Sequence, residues 1–384
     1  YGTFLQTLGS NGLVVFNGYT DTDANSAYKM ALAAQLQGTH VVEWELDNEP
    51  YVYPSIFATP AAYAASAYSP YYKNILAADP TATAGVFYQG QFNWQAGDYQ
   101  AWDSGMAAYS PRYWNAVSFH VYPITNTSIS TSDEEQTLNG ILAHGTTEYF
   151  DSYVKPLIGS STPVFISELN SSGPPMAFQT YIYNAIFLAE YVARMSTVSQ
   201  VKAVGISELY LGNSFTGGMI RAVNDFENYL IAETVANPSY STDTATNPNT
   251  QFSFYYSTSA LALEIANQAI NSSNATWATA VYGGPAVPIQ GYDGNPIPAV
   301  FAQGYQGADG THYLLITNKS GSTIPMAIEV EGNLLETTVT ISSISNASDT
   351  AQNTAADQNS VQIVTTTSPN PVTIGPYSVT RVQW

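Results

Sequence analysis

From Leu13 to about Ile270, short apolar runs alternate with longer stretches of helical period, and that alternation predicts repeated β-α units around a parallel sheet. The expected strands are Leu13 to Phe16, Val41 to Leu46, Ala82 to Phe87, Asn115 to Tyr122, Val164 to Ser167 and Ala203 to Leu209. Helical periods fill the intervals, near Ala24 to Gln37, Pro60 to Ala78, Tyr99 to Tyr109, Ser132 to Ile158 and Ala177 to Ser196. An Asn/Thr/Pro-rich loop from Ala236 to Asn249 precedes a last helix over Ser257 to Ala269. Beyond about Asn271 the helical period gives way to alternating strands with turn signals such as Asp309-Gly310, Ser320-Gly321 and Asn370-Pro371, the pattern of a β-sandwich. The expected domains are therefore a β/α barrel over 1–275 and a sandwich over 276–384. A closed barrel of this kind has eight strands, and six strand-helix units are visible.

Composition narrows the possible partners. Of 384 residues, 45% are hydrophobic and 10% charged, so the chain has material for real cores and a surface made polar mainly by Ser, Thr, Asn, Gln and Tyr. Nine Lys/Arg stand against 29 Asp/Glu, a net charge of −20, and no basic cluster exists with which to neutralise nucleic acid or a sulfated polysaccharide. With no cysteine there is no thiol chemistry, and four scattered histidines point to no metal or other cofactor. No apolar run is long enough to span a membrane. Six Asn-x-Ser/Thr sequons, among them Asn170, fit an exported, extracellular protein.

Two carboxylates fall at the C-terminal ends of expected strands, Glu49 after Val41–Leu46 and Glu168 after Val164–Ser167. In a β/α barrel that is the face on which catalytic groups gather, so strands distant in sequence can bring both into one cleft. Glycoside cleavage requires such a pair, one acid to protonate the leaving oxygen and one carboxylate to attack the anomeric carbon or activate water. A lone Glu at a strand end is ordinarily a solvated loop residue; the surrounding motif sets these two apart.

The segment Trp44-Glu45-Leu46-Asp47-Asn48-Glu49-Pro50 resembles the Asn-Glu-Pro signature that follows the fourth strand in retaining (β/α)8 glycosidases, in the form used by the heparanase and β-glucuronidase family. The likeness continues through Leu8-Gly9 and Leu13 to Asn17, Ser118-Phe119-His120-Val121-Tyr122, Ser167-Glu168 with Ser171-Ser172-Gly173, and Ile374 to Val379. The resemblance implies that Glu49 is the general acid/base and Glu168 the nucleophile. It implies that Asn48 bonds the sugar 2-hydroxyl and that Tyr122 holds Glu168 through its phenol, with His120 either lining the site or satisfying a buried hydrogen bond. Gln91, Glu208, Tyr210, Ser172 and Gly173 fall where the family contacts sugar. Tyr51, Tyr53, Tyr88, Phe92, Trp94 and Phe215 are candidates for stacking on sugar rings.

Placing Glu49 after a fourth strand leaves room for only one strand before it, so the expected fold is a (β/α)8 barrel lacking its first two strands in this chain, completed by a separate N-terminal chain or fragment. Asp47 replaces a Gly found in some relatives. Pro174 and Pro175 remove two backbone donors from the loop with which uronate-binding relatives hold a carboxylate, leaving Arg221 as the cation that could substitute. The favoured substrate is a β-glucuronide, followed by β-galactosides, β-xylosides and arabinofuranosides. A non-catalytic carbohydrate-binding or cell-surface protein on the same scaffold is the alternative from another class.

Overall fold

The computed structural model describes residues 11–16, 18, 23, 25–92, 98–124, 130–172, 177–207, 220–222, 254–287, 296–354 and 356–384. It divides into two compact units that interleave along the chain. One comprises residues 1–122, 148–169 and 198–206, the other 123–147, 170–197 and 207–384.

The first unit is built on a six-stranded parallel sheet whose spatial order follows the chain. The strands are β1 (Gly12–Phe16), β2 (Val41–Leu46), β3 (Ala84–Phe87), β4 (Ala116–Val121), β5 (Val164–Leu169) and β6 (Val201–Ile206). Helices α1 (Ser26–Leu36), α2 (Pro60–Ala67), α3 (Lys73–Ala78) and α4 (Tyr99–Ala108) run between successive strands. The single helix expected over 60–78 is divided by a π-helical turn at Tyr68–Tyr72, because Pro70 has no N–H with which to continue an α-helical ladder. Alternation along β2 sends Trp44 and Leu46 into a core shared with Ala27, Ala31, Tyr63 and Ile75, and sends Glu43 and Glu45 to the opposite face. On β4, Val117 and Phe119 join the same core while Ser118 and His120 face the two glutamates.

Polar side chains fix the strand ends. The Tyr63 hydroxyl donates to the Leu46 carbonyl and accepts from the Phe87 N–H at 3.0 Å, tying β2 to β3 where both strands finish. Beyond β3, the buried carboxylate of Asp103 on α4 accepts from Gln89 N–H at 2.7 Å, Gly90 N–H at 3.1 Å and the Tyr153 hydroxyl at 3.0 Å, so the loop that follows the strand is held from below.

The second unit contains α5 (Thr131–His144), α6 (Ile182–Met195), α7 (Thr258–Ile270) and a six-stranded sheet. A capping box of Ser130 and Asp133 starts α5, and Ser257 caps α7 by accepting from Ala260 N–H. The sheet is formed by β9 (Ser273–Trp277), β10 (Val300–Gly307), β11 (His312–Asn318), β12 (Thr338–Ser345), β13 (Val364–Pro369) and β14 (Ser378–Gln383), in the order β13-β12-β14-β11-β10-β9 with antiparallel pairings throughout. Ile182, Ile186, Ala189, Ala262, Ile265 and Ala266 of the helices pack with Tyr305, Leu315 and Val379 of this sheet in one core. Earlier in the unit, strands β7 (Ile220–Ala222) and β8 (Phe254–Tyr256) pair with each other. Glu190 of α6 is fully buried, yet it accepts from Lys319 Nζ at 2.5 Å, Thr317 Oγ1 at 2.6 Å and both Arg194 Nε and Nη2. Burial alone would raise its pKa, but Lys319 and Arg194 reverse that and hold it at about 2.

Candidate active site

Three chain segments of the first unit converge on one group of side chains. Glu49 follows β2 on a turn in which Asp47 and Glu49 both have positive φ, 79° and 47°. A left-handed conformation costs a non-glycine residue on the order of 1 kcal/mol or more, and it occurs here on either side of Asn48. The Asp47 carboxylate accepts from Asn48 N–H at 3.2 Å, and burial raises its pKa to about 7. Pro50 then opens a 3₁₀ turn and carries the chain away, leaving Glu49 buried and aimed back over the sheet.

His120, at the end of β4, is the hub. Its Nδ1 lies 2.9 Å from Glu49 Oε1 and 3.5 Å from Glu168 Oε2, and its Nε2 lies 3.9 Å from Glu45 Oε1. The edge of the imidazole meets Phe87 of β3, with ring centroids 4.6 Å apart, and the histidine side chain is fully enclosed. Burial alone would lower its pKa, but the Glu49 hydrogen bond and the nearby charges of Glu168 and Glu45 outweigh that and raise it. Tyr122, two residues on, donates its phenolic O–H to Glu168 Oε2. Its backbone N–H is held by the Phe92 carbonyl at 2.6 Å.

Glu168 reaches this position through an irregularity in β5. Phe119 pairs with Ile166, but His120 pairs with Glu168, so Ser167 is an extra residue in the strand. Such a bulge lets two consecutive side chains turn to one face, Ser167 toward Glu45 and Glu168 toward His120. Gly205 on β6 makes room for it: a Cβ at that position would sit 2.4 Å from the Ser167 carbonyl oxygen.

Beneath the pair lie two carboxyls that the sequence reading did not single out. Glu43 and Glu45 are both fully buried. Ser118 Oγ donates to Glu43 Oε1 at 2.9 Å, and Gly85 provides the space, since a Cβ there would stand 2.1 Å from that oxygen. Burial and the neighbouring Glu45 push Glu43 well above the usual carboxylate range. Burial also raises Glu45, against the opposing pull of His120. Two acids at alternate positions of a parallel strand were the available signal, because such strands ordinarily present apolar residues to both faces.

The structure thus brings together Glu49, Glu168, His120 and Tyr122, with Asn48 half-buried in the turn beside Glu49. Gln91 is exposed in the loop after β3, where its N–H donates to the Tyr149 hydroxyl at 3.0 Å. Ser172 belongs to the second unit, buried, with its carbonyl accepting from Gln179 Nε2. Glu208, Tyr210 and Gly173 lie outside the described residues, as do Trp94 and Phe215. One of the proposed sugar-stacking aromatics is a core residue instead, since Tyr88 is fully buried; Tyr51 is half-buried and packs against Phe87 and Trp102. The sequon residue Asn170 is buried, and its amide donates to the Ser207 carbonyl and accepts from Ser171 N–H, contacts that a glycan would break. Among the described residues no group of three or more His, Cys, Asp or Glu side chains is placed to hold a metal ion, and no helix is long and apolar enough to cross a membrane.

No family model matches the sequence, and no curated protein is significantly similar to it. Solved structures do match. The GH51 arabinofuranosidase from Xanthomonas axonopodis pv. citri superposes with a TM-score of 0.67 at 13% identity, covering 99% of this chain and 77% of that one. The α-L-arabinofuranosidase from Thermotoga maritima gives a TM-score of 0.67 at 16% identity, with coverages of 100% and 77%. A 4-O-α-L-rhamnosyl-β-D-glucuronidase from Fusarium oxysporum gives 0.57 at 13% identity, with coverages of 100% and 79%. At these identities the likeness is one of fold, a partial β/α barrel with a C-terminal antiparallel sheet domain. It agrees with the glycosidase scaffold implied by the Asn-Glu-Pro motif and does not single out the heparanase/β-glucuronidase family.

Proposed function

We propose that this protein is a retaining glycoside hydrolase in which Glu49 is the general acid/base and Glu168 the nucleophile. The observation that carries the reading is the shared contact with His120. Glu49 Oε1 and Glu168 Oε2 lie 2.9 and 3.5 Å from one nitrogen, so they are at most about 6.4 Å apart. A double displacement needs its carboxyls ~5–5.5 Å apart, whereas an inverting pair stands ~6.5–9.5 Å apart to admit a water. In the first half-reaction Glu49 protonates the glycosidic oxygen as Glu168 Oε attacks the anomeric carbon and the C–O bond to the leaving group breaks. In the second, Glu49 removes a proton from water, which displaces Glu168 and releases the sugar with its configuration retained.

The electrostatics favour an uncharged sugar. Among the described residues the site holds Glu43, Glu45, Glu49 and Glu168, and no Lys or Arg forms an ion pair with any of them. A uronate would bring a further anion beside four carboxyls whose described surroundings offer His120 as the cation, the side chain of Arg221 lying outside the described residues. An arabinofuranoside or another neutral glycoside therefore stands ahead of a β-glucuronide, and the names of the fold neighbours support the same order. A panel of aryl glycosides, including α-L-arabinofuranoside, β-D-xyloside, β-D-galactoside and β-D-glucuronide, tests both levels. Glu168→Ala is expected to lower kcat by roughly 10⁴-fold or more on the best substrate. Glu49→Ala should retain most of kcat/KM toward substrates with activated leaving groups while kcat falls for want of a base, and added azide should restore kcat, giving a glycosyl azide of retained configuration. Failure of the wild-type protein to hydrolyse any member of the panel would defeat the reading.

A further inference from the structure

The buried layer below the catalytic pair has more polar atoms than hydrogen bonds. Glu43 Oε2, both oxygens of Glu45, His120 Nε2 and Ser167 Oγ are enclosed and have no hydrogen-bond partner among the described residues. Ser118 and Ser167 lie close enough to Glu45 to ease its charge, but neither makes a well-formed hydrogen bond to it. Leaving such groups unmatched is expensive, and the expense falls if one proton is shared between an acid and a base. Glu45 Oε1 and His120 Nε2, 3.9 Å apart, form no hydrogen bond as they stand, and a side-chain movement of about 1 Å would let them share one.

We propose that Glu45, seated by Glu43 and Ser118, is a buried positioning residue that shares a proton with His120 and thereby sets the charge His120 presents to Glu49 and Glu168. With the proton on Glu45, neutral His120 keeps its Nδ1–H directed at Glu49 Oε1. When Glu49 has given its proton to a leaving group and Glu168 is bonded to the sugar, the Glu45 proton moves to Nε2 and His120 becomes a cation beside the Glu49 carboxylate. Glu45 is then the anion that balances it, and the total number of protons is unchanged. The reverse transfer follows when Glu49 takes up the proton of the incoming water.

The groups facing this pair are few. From β2 and the turn after it come Glu43, Glu45, Asp47 and Glu49; from β4, Ser118 and Tyr122; and from β5, Ser167 and Glu168. The elements of β3 that meet them, Gly85 and Phe87, do not titrate. Glu43 is the outermost member of the layer. Its seat depends on Gly85 having no side chain and on the Ser118 hydroxyl, and the charge of Glu45 helps hold its own pKa up.

The inference rests on the glycosidase reading only for its kinetic arm. The direct arm is nuclear magnetic resonance of the intact chain labelled in histidine rings and glutamate carboxyls, where His120 is one of only four histidines. In the wild type, the His120 ring and one Glu carboxyl should shift with a common midpoint. In Glu45→Gln the His120 midpoint should fall by about one pH unit or more, and in Glu43→Gln it should fall less. The kinetic arm is the alkaline limb of kcat/KM, where less positive charge on His120 in Glu45→Gln should raise the Glu49 midpoint and move the limb up, while a merely structural loss would lower the whole profile without moving it. Independent titration of His120 in the wild type, or an unchanged His120 midpoint in either folded variant, overturns the proposal. Because the wild-type titration needs neither substrate nor variant, a chain without glycosidase activity or a variant that does not fold still leaves the proposal decided.

Discussion

A single phenolic hydrogen bond holds Glu168 where it can meet a sugar, and its carboxyl is the more open of the two, with 34% side-chain exposure against 9% for Glu49. Tyr122→Phe removes one charge-assisted hydrogen bond, worth ~1.5–3 kcal/mol, so kcat should fall roughly 10- to 100-fold with KM changed little. Steady-state kinetics on the preferred aryl glycoside checks this; an unchanged kcat would mean that His120 alone positions Glu168. These residues were legible in the sequence because the motif fixes them and a strand end is where a barrel presents chemistry. Glu43 and Glu45 were not read as site residues, because burial of two acids on one strand face depends on Ser118 and Gly85, which come from other strands. The hub role of His120 was equally hidden, since nothing in Phe119-His120-Val121 indicates how many carboxyls surround the ring.

The elements were legible wherever period and length agree, and lost where the backbone departs from its regular repeat. The π-helical turn at Tyr68–Tyr72 divided a helix that periodicity made continuous, although Pro70 marked the place. The bulge at Ser167 left no such mark. Strict period-two counting along Val164–Leu169 places Ser167 and Glu168 on opposite faces, yet both point to the site. Gly205 is the counterpart on the neighbouring strand. Gly205→Ala sets a Cβ against the Ser167 carbonyl, a backbone atom that cannot swing aside, and should cost ~1–3 kcal/mol in stability. Because the displaced backbone leads directly into Glu168, turnover should fall as well. Thermal melting together with kcat tests the pair of effects, and a destabilised variant with full kcat would separate the bulge from catalysis.

Among the described residues, buried carboxyls outnumber the buried cations that meet them. Asp47 is raised to about 7 and Asp103 to about 6, each chiefly by burial, and Glu135 is raised to about 8 by burial and by the adjacent Asp349. Each binds a proton in the folded state that the unfolded chain releases near pH 4, so stability is fully present below that pH and is lost as pH rises through the folded values. The loss should amount to on the order of 1–3 kcal/mol per group between pH 4 and 8, discounted for the partial exposure of Glu135, and self-repulsion at a net charge of −20 acts in the same direction. Glu190 behaves oppositely. Held at about 2, it contributes stability that is fully present above pH ~4.5 and is lost progressively as pH falls from there through 2. Melting temperature should therefore peak between about pH 3 and 5 and decline toward pH 8. A maximum at neutral pH would contradict this account. The Glu190 cluster also bears on the order in which the chain can settle during its synthesis. Its principal counter-charge, Lys319, is 129 residues downstream, and the segments of the two units alternate along the polypeptide. Until β11 has been made, helix α6 carries an acid matched only by its own Arg194, so full enclosure of Glu190 comes late, when the C-terminal sheet brings Lys319 and Thr317 to it.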